Sequence, residues 1–147
     1  MAFDPSKLAF YKTKASTLPG THYRDVVKVS RGIFTNSLRH TKRKPYLRSA
    51  YFKTNTGKAK IFFDYFWLHM SQKPPKERYR RLKFFEAALE IITYSHFAPL
   101  SNQNPDKKSE MFHRFGGVTP NGEKFYIQIK EHLPSDTKQL MSIFPAK

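Results

Sequence analysis

The stretch KFYIQIKEH at residues 124–132, entered through Thr119-Pro120-Asn121-Gly122, constrains this chain more than any other. Phe125, Ile127 and Ile129 alternate with Tyr126, Gln128, Lys130 and His132, the period of a strand with one face in a core. Pro120 and Gly122 fit a three-residue loop closed by a glycine bulge. Thr119 then faces Glu123, and counting back sets Arg114 against Gln128, Phe112 against Lys130 and Gly116 against Tyr126. A two-residue turn slips the register by one, placing His113 beside Lys130 and turning Arg114 inward. Burying an unpaired guanidinium is costly, so the three-residue loop is expected. His113 and Phe115 then belong to the core, with His113 bonded to a neighbouring carbonyl.

Residues 111–118 and 138–144 read as the flanking strands of an antiparallel meander. Upstream, residues 45–53 read as a strand ending at the turn TNTG. Residues 58–72 (KAKIFFDYFWLHMSQ) are apolar nearly all round and read as a buried helix, in which Asp64 and His69 take a hydrogen-bonding role and no site. Pro74 and Pro75 end it, and Leu82, Phe85, Leu89 and Ile92 carry helical spacing to about residue 96. Residues 98–110 read as a polar loop, residues 25–34 as a short strand or a turn of helix. The fold class expected is α+β, with helices on one face of a small antiparallel sheet of three to four strands and the other face open to a ligand.

Length and charge narrow the function. At 147 residues the chain suits one domain, and its 14 Phe are enough to build a core. Lys and Arg number 27 against 11 acids, a net charge of +16 that points to a polyanionic partner. Fourteen of those cations but only two of the acids fall in residues 1–60. Residues 1–44 therefore read as a basic arm, partly flexible unless a ligand or neighbour holds it, before a domain at 45–147. The cluster RHTKRK at residues 39–44, with Lys42, Arg43 and Lys44, is followed by Tyr46, Arg48 and Tyr51. Its plain reading is a solvated loop; its functional reading is phosphate attraction beside rings that stack on unpaired bases. With no cysteine, sulfur-ligated zinc and thiolate chemistry are excluded. A Gly-rich phosphate loop, His-Glu-x-x-His and a paired-Asp cluster are also missing, so neither metal nor cofactor is expected. No run approaches the roughly 18 apolar residues of a spanning helix, and the opening lacks a signal-peptide pattern. A cytoplasmic protein without membrane contact is expected, with export by a specialised machine still compatible.

The open face of the sheet gathers Arg114, Tyr126, Gln128, Lys130 and His132, with Ser142 from the last strand. These groups suit RNA cleavage by attack of the 2'-hydroxyl on the adjacent phosphorus. Arg114 offers bidentate contact to phosphate, Lys130 a point charge, His132 proton transfer near neutral pH, and Tyr126 a stacking surface. His96, His113 and His132 compete for the one proton-transfer role. The plainer alternative is a noncatalytic RNA- or DNA-binding module with the same groups.

The segment from His113 to Glu131 (HRFGGVTPNGEKFYIQIKE) and the closing LMSIFP resemble a phage-associated branch of the barnase, EndoU, colicin D and RelE-like nuclease superfamily, over about residues 45–145. The resemblance implies helices preceding a small antiparallel sheet and metal-independent RNA cleavage by a toxin or mobile-element protein. It implies functional positions at Arg114, Gln128, Lys130 and Ser142, and an acidic antitoxin or immunity partner.

Overall fold

A computed structural model describes residues 4–19, 23–37, 39–41 and 44–146. In chain order its elements are β1 (Phe10–Lys12), α1 (Tyr23–Ser37), β2 (Arg39–Thr41), β3 (Lys44–Thr54), β4 (Gly57–Phe62), α2 (Asp64–Ser71), α3 (Pro75–Leu82), α4 (Phe85–Tyr94), β5 (Leu100–Gln103), β6 (Glu110–Val118), β7 (Lys124–His132) and β8 (Thr137–Pro145). Among the described residues, no helix is long and apolar enough to cross a membrane.

The β6–β7 hairpin has the register that the alternation demands. Arg114 faces Gln128, Phe112 faces Lys130 and Gly116 faces Tyr126. The Thr119 N–H donates to the Glu123 carbonyl at 2.9 Å, and Gly122 takes a φ of +88°, open to glycine at little cost. Phe125, Ile127 and Ile129 are buried on the inner face.

The sheet itself corrects the expected fold class. Eight strands, not three or four, join in the order β1-β6-β7-β8-β4-β3-β2, with β5 paired to β6 beside β1. The sheet is mixed, since β1 runs parallel to β6 and β4 parallel to β8. It also curls. Phe52 of β3 meets the rings of His113 and Phe115 on β6 at 4.9 and 5.8 Å, although three strands separate β3 from β6 in the sheet.

Four local readings change with it. Residues 58–72 are not one helix: Ala59, Ile61 and Phe63 are buried while Lys58, Lys60 and Phe62 point outward, so β4 occupies the first part and α2 starts only at Asp64. The helical stretch after Pro75 breaks between α3 and α4, where Phe84 leaves helical geometry to stack on Phe125 at 4.9 Å. The loop at 98–110 contains β5, and residues 25–34 lie inside the 15-residue helix α1. In the basic amino-terminal segment a neighbour does the holding: β1 joins β6, and Leu8, Thr13 and Leu18 are buried.

Consecutive glycines in β6 let both faces close down. A Cβ at Gly116 would stand 2.8 Å from the Phe10 ring on the outer face, and one at Gly117 would stand 2.5 Å from Ile91 and 2.6 Å from Phe125 on the inner face. Each is needed for close approach rather than for a special backbone angle.

Candidate functional site

Cross-strand register maps the outer face into rows about 7 Å apart along the strands. One row runs Phe112, Lys130, Gln139, Phe62 and Tyr46. On one side of it lie Arg114, Gln128 and Ser142; on the other lie Glu110, His132 and Thr137, with Lys60 and Arg48 paired on the next two strands. Arg114 and Lys130 thus emerge on the same side of neighbouring strands.

Arg114 is pinned. Its Nε and Nη2 both donate to Gln128 Oε1, at 3.1 and 2.6 Å, and its guanidinium lies 4.9 Å from the Phe144 ring centroid. Burial pushes its pKa below the ordinary value. It lines a cleft of about 290 Å³ with Gln128 and Phe112 of the hairpin and Leu100, Asn102 and Gln103 of β5. Lys130, opposite Phe112, sits 4.1 Å from the ring centroid of Tyr65 and 3.7 Å from Glu110 Oε2.

This face is not bare, as the sequence reading had it. β4 stops at Phe62, and α2 and α3 pack beside the remainder of β8. Arg81 of α3 donates from Nη1 to Ser142 Oγ at 2.7 Å while its Nε holds Glu77 at 2.7 Å. Ser142 is therefore buried and engaged by Arg81. Tyr126 lies between the rings of Phe10 and Phe144, at 5.8 and 5.5 Å, so neighbours already take up its stacking surface.

The group that sequence reasoning passed over is His69. One helical turn after Tyr65 and stacked on it at 5.7 Å, its imidazole has a pKa below the ordinary 6.5, first through burial and then through the nearby charges of Lys73, Arg81 and Lys130. Reading residues 58–72 as one helix buried nearly all round assigned His69 to a hydrogen-bonding role in the core, whereas α2 leaves it only partly buried. The alternation of Lys58, Lys60 and Phe62 with Ala59, Ile61 and Phe63 was the signal that would have moved the helix start to Asp64.

The other candidates separate. His113 is 8% exposed on the inner face, its Nδ1 2.7 Å from Ser101 Oγ and its Nε2 2.8 Å from Glu131 Oε1; its partners are side chains rather than the carbonyl expected. Glu131 is also paired to the buried Lys138 at 3.3 Å, so His113 serves a network that the sheet separates from Arg114. His132 is exposed at the end of β7, with Nδ1 2.7 Å from Ser135 Oγ. Arg48 donates to the Lys58 carbonyl at 3.0 Å on the far side of the outer face, and Lys44 is exposed where β3 begins. Lys42 and Arg43 lie outside the described residues. His96 stands in the turn after α4 and is exposed.

His69 gives the site a pH signature. Its lowered pKa leaves the imidazole neutral, able to accept a proton, down to a pH below 6.5. For any reaction that uses it as a base, the acid limb of kcat/KM falls below pH 6.5, and His69→Gln removes that limb; a pH–rate profile of both proteins checks this. The folded protein resists protonating the group, so its contribution to stability is present above 6.5 and lost as pH falls toward the lowered value.

Among the described residues no three His, Asp or Glu groups cluster as metal ligands. No family model, curated protein or solved structure matches this chain.

Proposed function

We propose that this protein is a metal-independent endoribonuclease acting on single-stranded or looped RNA at the face that carries Arg114 and Lys130. The observation that supports it most is the company His69 keeps: an imidazole held neutral by burial and by cations, one of which, Lys130, shares its face with Arg114. In this reading His69 takes the proton of the 2'-hydroxyl, whose oxygen attacks phosphorus and displaces the 5'-oxygen of the next nucleotide. Lys130 and the guanidinium of Arg114 face the non-bridging oxygens, where negative charge grows in the transition state. His132, in the row beside Lys130, returns a proton to the departing oxygen. The pins on Arg114 favour this use, because a fixed donor needs little reorganisation when the charge develops.

The alternative, a purely binding role, asks less of these cations, because their carboxylate partners leave less charge to stabilise a developing phosphorane. Glu110 partly neutralises Lys130, and Glu77 partly neutralises Arg81, whose own bond to Ser142 keeps it occupied.

Incubation of a single-stranded RNA and its DNA counterpart with the protein in excess chelator tests the proposal. Products ending in 2',3'-cyclic phosphate from RNA, with DNA intact, are expected. RNA that is bound yet uncut after prolonged incubation would leave the binding role alone standing.

A further inference from the structure

We infer that a second groove on the same face, lined by Arg48, Thr56, Lys58, Lys60, Phe62 and Thr137, holds the strand of RNA that flanks the phosphate at Lys130. This rests on the ribonucleic-acid reading of the Arg114 and Lys130 face. The groove, of about 250 Å³, lies where the β3–β4 hairpin meets the turn before β8. It also reaches Lys138 and one carboxylate, Asp136, which is already tied to Lys138 Nζ at 2.7 Å and held below the usual carboxylate range by that bond.

Register makes the two places one surface. Lys130 faces Gln139, and Gln139 faces Phe62, so a single transverse row leads from the cleft to the edge of the groove. Lys60 and Arg48 face each other in the row beyond. Two interstrand steps carry Lys130 across to β4, about 10 Å, and one row adds about 7 Å along the strands. That span exceeds one phosphodiester linkage. Arg114, Lys130, Lys60 and Arg48 accordingly mark a diagonal of cations across the sheet.

The floor tells single strand from duplex. Phe62 is half-buried with its ring beside Tyr46 at 5.9 Å, and Lys60 lies 4.9 Å from the Tyr46 centroid. The half-buried Phe62 ring, backed by the buried Tyr46 and sharing the groove lining with Lys60 and Arg48, offers a surface on which an unpaired base stacks while the cations take the backbone. A duplex hides its base faces and gains nothing from Phe62.

Salt dependence measures this directly. The probe is a fluorescent uridylate dodecamer carrying 2'-deoxy sugars, which the protein holds without cutting, titrated by anisotropy over a series of salt concentrations. Each single-strand phosphate contact contributes about 0.7 to the slope of log affinity against log salt. Arg48→Gln with Lys60→Gln is expected to reduce that slope by about 1.4. Lys58→Gln, at an exposed side chain without ring contacts, is expected to reduce it by about 0.7 and guards against misfolding of the double variant. Parent slopes in both the double variant and Lys58→Gln would overturn the groove proposal. If the slopes fall but no ribonucleotide substrate is ever cut, the groove stands and the catalytic reading fails.

Discussion

Phe125→Ala is expected to cost about 3–5 kcal/mol and to lower the midpoint of thermal unfolding by roughly 10 °C. The ring is completely buried, stacks on Phe84 at 4.9 Å and fills the space that Gly117 leaves open. Removing it opens a cavity between β7 and the start of α4, and neighbours fixed by the strand ladder collapse into it only partly. Lys124→Ala, one position earlier on the exposed face, should stay within about 0.5 kcal/mol of the parent. The contrast measures the register itself, because a one-residue slip exchanges the two outcomes. Calorimetry on both variants reads it.

What was legible in the sequence and what was not divides along local against long-range information. The hairpin was readable from Met111 to His132, since alternation fixed its faces and the Pro120 to Gly122 turn fixed its register, and only Glu110 was assigned to the preceding loop. The place of β4 was not read, although its alternation was on view, because Phe62, Phe66 and His69 also satisfy a helical stripe. The sheet was underestimated for a related reason. β1, β2 and β5 span only three or four residues each, and β1 and β5 become strands through partners further along the chain: Phe10 pairs with Gly116 and Leu100 with Arg114. Short segments carry too little periodicity to declare themselves.

The site divides the same way. Placing Arg114, Gln128 and Lys130 together needed only the hairpin. Ser142 was correctly brought to their face, but its capture by Arg81 depends on α3 meeting β8, a contact between positions 61 residues apart. His69 reaches the site because β4 pairs with β8 for just two residues and then yields its place to α2.

Lys130→Ala is expected to slow cleavage about 100- to 1,000-fold, the usual cost of removing one donor from a developing oxyanion. Arg114→Lys should slow it by a similar factor, because an ammonium keeps the charge but cannot keep both bonds to Gln128 Oε1 or the broad contact with Phe144. Neither change touches the inner core, so thermal midpoints should move by only a few degrees. Affinity for a 2'-deoxy oligomer should weaken less than tenfold, since most phosphate contacts persist.

Single-turnover cleavage of a short RNA in chelator, compared between the parent protein and Lys130→Ala at equal saturation, puts the catalytic use of this face to its hardest trial. A rate at least 100-fold lower in the folded variant is the expected result, and equal rates would contradict it.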